Sequence, residues 1–238
     1  MKYLISAVIG TLAGIAVCLL AVYYNPLNIR SDLTPLAFSD NPIINLHYSA
    51  AARDTLLYTN NGESQVAPYP GNVLELWEDP IRQTTAMTTV LLNSRNEFAG
   101  IGIKFLSDSE RTLLLKGQVL VDSVWHIFLP GRGTLFIEQT ENHWEHLRDI
   151  VIPAYLSSGD SWRGVWRRNI TAGPSALRTA RVVGGSGEFV GLDAEAVEAL
   201  AARAYSVEQG PVALQGELLI EMPRRNSADA PATPSATN

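Results

Sequence analysis

Cysteine is nearly missing: Cys18 is the only one in 238 residues, and it lies inside an apolar run. The rest of the chain therefore has no disulfide, no thiolate nucleophile and no cysteine-based metal site. Surplus positive charge is missing too. Eighteen Lys and Arg face 24 Asp and Glu, a net charge of −6, which argues against a nucleic-acid binder with a broad basic surface. No Lys-Ser/Thr pair follows the glycines of 184–191, so there is no P-loop, and no serine sits in a nucleophile elbow. No internal repeat is visible.

What stands at the start is a stretch without charge. Residues 3–24 contain no Asp, Glu, Lys or Arg, and 22 residues of helix span about 33 Å, enough to cross a bilayer core. Lys2 and the N-terminal amine precede it, so the positive-inside rule places the C-terminal part outside the cytoplasm, in the periplasm of a Gram-negative cell. A cleavable signal peptide is the competing reading. Its apolar core is normally shorter, and no small-x-small site follows. Val17 before Cys18 also speaks against a lipoprotein. The expectation is a transmembrane anchor at 1–24, a Pro- and Asn-rich linker at 25–45, a folded domain at 46–222 and a disordered tail at 223–238.

The domain reads mainly as β. Residues 84–93 and 100–106 are rich in β-branched side chains, and 118–129 is the longest strand candidate, closed by Pro130-Gly131-Arg132-Gly133 and followed by a hairpin partner at 134–139. In that hairpin Val121, Ser123, Trp125 and Ile127 share one face, with Asp122, Val124, His126 and Phe128 opposite. Both faces are apolar, as in a barrel wall with something packed outside it. Residues 43–58 favour neither helix nor strand. Residues 141–155 read as a helical or irregular insertion, and 214–222 as the last strand.

The stretch 162–192 carries two tryptophans and the densest glycines. If 162–171 is extended, Trp162, Gly164, Trp166 and Arg168 share a face. Gly173-Pro174 marks a turn, 178–183 a short strand, and Gly184-Gly185-Ser186-Gly187 a tight bend needing φ > 0. The run 181–191, RVVGGSGEFVG, resembles the GG[ST]Gx[FY]xG segment of allene oxide cyclase-like and dirigent-like β-barrels. That resemblance implies an eight-stranded barrel that binds hydrophobic small molecules, some members steering cyclisation or radical coupling. It matches no catalytic residue onto this chain. After Gly191 the family pattern continues as a strand, whereas here Asp193 followed by Ala194, Glu195, Ala196 and Val197 reads as a capped helix.

Three constellations carry chemistry. His126 and Glu138 lie on adjacent strands of the hairpin. Inside an apolar barrel they form an acid–base couple, and outside it they are an ordinary cross-strand polar pair. His143 and His146, with Glu141, Glu145 and Asp149 nearby, have the spacing of two imidazoles on one helical face. HxxH is far less specific than HExxH, and the alternative is a helix burying Trp144, Leu147 and Ile150, so no metal is assigned. Trp125, Trp162, Trp166 and Arg168 are expected to line the ligand cavity, with indoles for a flat apolar body and the guanidinium for an anionic end. The sequence thus points to a small antiparallel β-barrel with an N-terminal transmembrane helix and a helical insertion. Its expected partners are a hydrophobic small molecule and the membrane, with no cofactor. A cofactor-independent isomerase or cyclase, or a structural subunit of a membrane complex, are the alternatives. Inward-facing polar groups would favour the enzyme, and an apolar cavity the carrier.

Overall fold

Strand follows strand through most of the described domain, because apolar residues alternate with polar ones along much of it. The structure, a computed structural model, describes residues 2–24, 41–51, 53–58, 73–74 and 84–222. Helix α1 is Lys2–Tyr23. The strands are β1 (Ile43–Ser49), β2 (Leu56–Tyr58), β3 (Val73–Leu74), β4 (Thr84–Leu92), β5 (Phe98–Asp108), β6 (Leu120–Leu129) and β7 (Gly133–Asn142). A helical segment over residues 144–156, here α2, follows, with a π turn at Leu147–Val151. Then come β8 (Ser161–Asn169), β9 (Thr171–Gly173), β10 (Ala180–Gly185), β11 (Ala194–Ser206) and β12 (Gly210–Glu221).

Eight antiparallel strands close a barrel in the order β1-β12-β11-β10-β7-β6-β5-β4, and His47 opposite Leu92 joins β4 back to β1. Closure pairs the two end strands of that order, β1 and β4, with each other. One wall position is shared. β10 pairs with β11 at Ala194–Ala196, β8 takes over along Ala199–Ser206, and β9 lies on β7 at Thr140 and Glu141. The chain leaves β7 at that second end, forms α2, and returns as β8.

Side chains fill the lumen in two layers. One is apolar: Leu91, Ile127, Leu135, Ile137, Phe189, Leu218 and Ile220 are all buried, and each such side chain contributes about 1.5–3 kcal/mol on leaving water. The other layer is polar and lies toward α2. Between them Tyr48 packs edge-on against Trp125, ring centroids 5.0 Å apart. A Cβ on Gly216 would fall 1.9 Å from the Tyr48 ring, so only glycine lets the tyrosine cross β12 there.

The glycine bend is a turn, as expected. Gly187 has φ +64°, and its Cα packs against the β6–β7 turn so closely that a Cβ would lie 2.3 Å from the Arg132 carbonyl oxygen. The helix expected after Asp193 is corrected. Residues 194–206 form a 13-residue strand, β11. Alanine favours helix, but here Ala196, Leu200 and Ala202 are buried in the barrel while β12, β10 and β8 take up the backbone hydrogen bonds. Tertiary pairing overrides that local propensity. The undecided stretch 43–58 begins as strand β1. The expected tail, and the linker up to residue 40, lie outside the described residues. Among the described residues one helix, Tyr3–Tyr23, is long and apolar enough to cross a membrane, a test that an N-terminal signal sequence also passes.

Candidate active site

The polar layer is built from five strands. Lys104 on β5, itself buried, places Nζ 2.8 Å from Glu141 Oε1 on β7 and 2.6 Å from Glu198 Oε1 on β11. Both carboxylates are fully buried. Gln139 donates its amide to both, at 2.9 Å to Glu141. The Ser123 hydroxyl donates to Glu141, and the Tyr48 hydroxyl to Glu198. The Trp125 indole N–H donates to Glu198 Oε2 at 3.0 Å. Buried charges persist only when paired and hydrogen-bonded, and this cluster meets both conditions.

These contacts set the protonation states. Burial opposes the charge on Lys104, but the two carboxylates more than offset it and its pKa rises. Burial likewise disfavours an ionised Glu141, yet Lys104 and His143 hold its carboxyl well below the usual range. Burial, then the charge of Glu198, pushes the Tyr48 phenol well up, so it stays a donor.

Glu141 Oε2 has a different kind of partner. His143, two residues on at the start of α2, brings Nε2 to 2.8 Å. His143 is half-buried, so it connects the sealed cluster to the barrel end covered by α2. A carboxylate behind one ring nitrogen orients the imidazole and leaves Nδ1 as its other hydrogen-bonding atom. Next to it stands His146, ring centroids 6.4 Å apart, and His146 packs edge-on against Trp166 at 5.6 Å and Tyr205 at 6.2 Å. Burial, then the neighbouring His143, lowers the His146 pKa to about 4, so it is neutral at pH 7. Among the described residues no group of three His, Cys, Asp or Glu side chains could hold a metal ion.

One ion pair and one hydrogen bond fasten α2 to β8 over this end. Arg168 Nε lies 2.9 Å from Glu145. Arg148 grips Asp149 through two bonds of 2.6 and 2.9 Å, and the Trp166 indole N–H donates to Asp149 at 3.3 Å. Asp149 stays ionised because these donors outweigh its burial. Ile150 of α2 is fully buried in the same core as the lumen side chains. A cleft of about 400 Å³ against β8, β11 and β12 reaches Trp166, with Val165, Arg167, Ala202 and Leu214 on its walls.

Of the residues expected from sequence, Trp162, Trp166 and Arg168 do share a face. Register puts them beside Tyr205, Ala202 and Leu200, on the inward side of β11. Arg168 is engaged with Glu145 there. Trp125 is sealed in the lumen on Glu198. His126 and Glu138 are not inside. Trp125 points inward, so its neighbours on β6 point out, and His126 stacks edge-on between Phe105 and Phe136 on the outer wall. Glu138 is exposed and borders an outer cleft with Phe105, Val124 and Asp122. Lys104, Glu198 and Tyr48 were not anticipated. A lysine at the inward parity of GIGIKFL was the available signal for the first. Glu198 could be found only by reading 194–206 as a strand.

No family model matches the chain, and no curated protein sequence matches it. Solved structures do. AbnU, an exo-specific intermolecular Diels-Alderase, aligns with 76% of this chain and 99% of its own at 16% identity, TM-score 0.37. The pterocarpan synthase dirigent protein GePTS1 aligns over 78% and 86% at 10% identity, TM-score 0.34. A nonspecific heme-binding cyclase of neoabyssomicin biosynthesis aligns over 83% and 78% at 8% identity, TM-score 0.34. Likenesses this loose assign the chain to no family, and the reading of the site rests on its own side chains.

Proposed function

We propose that the chain is a membrane-anchored, extracytoplasmic barrel that binds a hydrophobic small molecule beneath α2 and isomerises or cyclises it by proton transfer, without a cofactor. The observation that carries this is the Glu141–His143 pair: a buried carboxylate, fixed by Lys104, Ser123 and Gln139, backs an imidazole that stands at the aromatic end of the barrel. His143 is the acid–base group, Glu141 orients it, and Lys104, itself paired with Glu198, holds Glu141 in place. The indole and phenol rings of Trp162, Trp166 and Tyr205 would hold the apolar body, entering by the cleft that reaches Trp166. Such a reaction needs no net proton: one is given at one atom and taken back at another. The apolar helix Tyr3–Tyr23, exposed along nearly its whole length, supports the anchor.

A second reading is favoured by one fact: the polar atoms of the lumen already satisfy one another. A protein that only binds or carries the same molecule would use the cluster to hold the barrel's shape. Deuterium exchange into the bound molecule separates the two. The enzyme incorporates label from heavy water through His143, and the carrier incorporates none.

A further inference from the structure

We infer that the molecule taken at this site carries a positive charge or acquires one when protonated, an inference that rests on the site beneath α2 proposed above. Buried charge around this site does not balance. In the lumen two carboxylates, Glu141 and Glu198, share one ammonium, Lys104. Under α2, Arg168 and Arg148 are matched by Glu145 and Asp149. With neutral imidazoles the site is one negative charge in excess, and the excess lies in a low-dielectric interior where screening by water is weak. Trp166 and Tyr205, which pack edge-on with His146, are aromatic rings of the kind whose π-faces attract cations.

The same count fixes the direction of the chemistry. When His143 is an imidazolium the cluster is neutral. Donating its proton to a substrate π bond or carbonyl oxygen breaks an N–H bond and forms a C–H or O–H bond with the substrate's electron pair. The imidazole becomes neutral, the substrate cationic, and the unbalanced carboxylate faces that cation. Returning a proton from another substrate atom to His143 closes the cycle with no net change. The opposite course, abstraction to leave an anion, meets cations of the cluster and of α2 that are already engaged: Lys104 is enclosed between its carboxylates, and Arg148 and Arg168 are each paired with a carboxylate.

Three probes of equal shape test this: 4-phenylbutylamine, 4-phenylbutanol and 4-phenylbutyrate. Each is titrated at pH 8 into the full-length protein in zwitterionic nanodiscs, with tryptophan fluorescence as readout and empty nanodiscs subtracted. The amine is expected to bind about tenfold or more tightly than the alcohol, and the carboxylate more weakly than either. Glu141→Gln removes the excess charge and should bring the amine-to-alcohol ratio close to one. If that variant does not fold, Glu198→Gln removes the same charge. Equal binding of amine and alcohol, or preference for the carboxylate, overturns the inference while leaving the site. Binding of none of the three overturns the site itself.

Discussion

Lys104→Met is the perturbation that most strongly probes the polar layer. Methionine keeps the length of the side chain and removes the ammonium that lies 2.8 and 2.6 Å from Glu141 and Glu198. Two fully buried carboxylates then face each other with no cation. Removing one partner of a buried ionic cluster typically costs about 3–5 kcal/mol, because the remaining charge is left uncompensated. For a domain of this size that corresponds to a fall in Tm of about 6–20 °C. The pH dependence should also change sign. In the native chain Glu141 has a folded-state pKa below its unfolded value. It therefore contributes stability above the unfolded pKa, and that stability is lost as pH falls through the folded one. Without Lys104, burial dominates and the folded-state pKa rises above the unfolded value, so the variant gains stability as the pH falls and a carboxyl takes up a proton. Urea unfolding of the detergent-solubilised protein at pH 8 and pH 5, followed by tryptophan fluorescence, reads both effects. Lys104→Met/Glu198→Gln should regain part of the loss at pH 8. A loss under about 1 kcal/mol, with the native pH slope unchanged, would refute the ion-triad account.

Two further outcomes follow from the same structure. Gly187→Val should lower stability by more than about 1 kcal/mol in thermal unfolding, since φ is +64° and a Cβ would collide with the Arg132 carbonyl; an unchanged Tm would remove the need for glycine there. A reporter fused after Asn238 should be active only outside the cytoplasm, and the protein should stay with the membrane after carbonate washing; a soluble form cleaved after the apolar run would show a signal peptide instead.

Much of the wall was legible because its periodicity was. Strands β4 to β7 follow their β-branched content and the Pro130-Gly131 turn, and α2 follows the spacing of Trp144, Leu147 and Ile150. β11 was hidden by its composition: Ala and Glu have helical propensity, and nothing local announces that Glu198 sits in an inward stripe with Ala196 and Leu200. The same error concealed the site, since Lys104 and Glu198 are 94 residues apart and meet only through closure of the barrel. Parity hid the rest. Both faces of 118–129 are apolar, so periodicity alone could not say whether Trp125 or His126 looked inward, and the structure turns His126 out. His143 and His146 stood out as a pair, but their meaning came from Glu141, two residues upstream at the end of a strand rather than on the helix.

If His143, oriented by Glu141, moves protons on a molecule bound beneath α2, that molecule exchanges hydrogen with solvent. The test starts from whatever small molecule can be extracted with organic solvent from the purified full-length protein. That molecule is returned to stripped protein in heavy water and followed by mass spectrometry. Deuterium incorporation is expected from the native chain, and none from His143→Gln, which should bind the molecule with similar affinity. Absence of any extractable molecule, no incorporation by the native chain, or equal incorporation by His143→Gln would contradict proton transfer by His143.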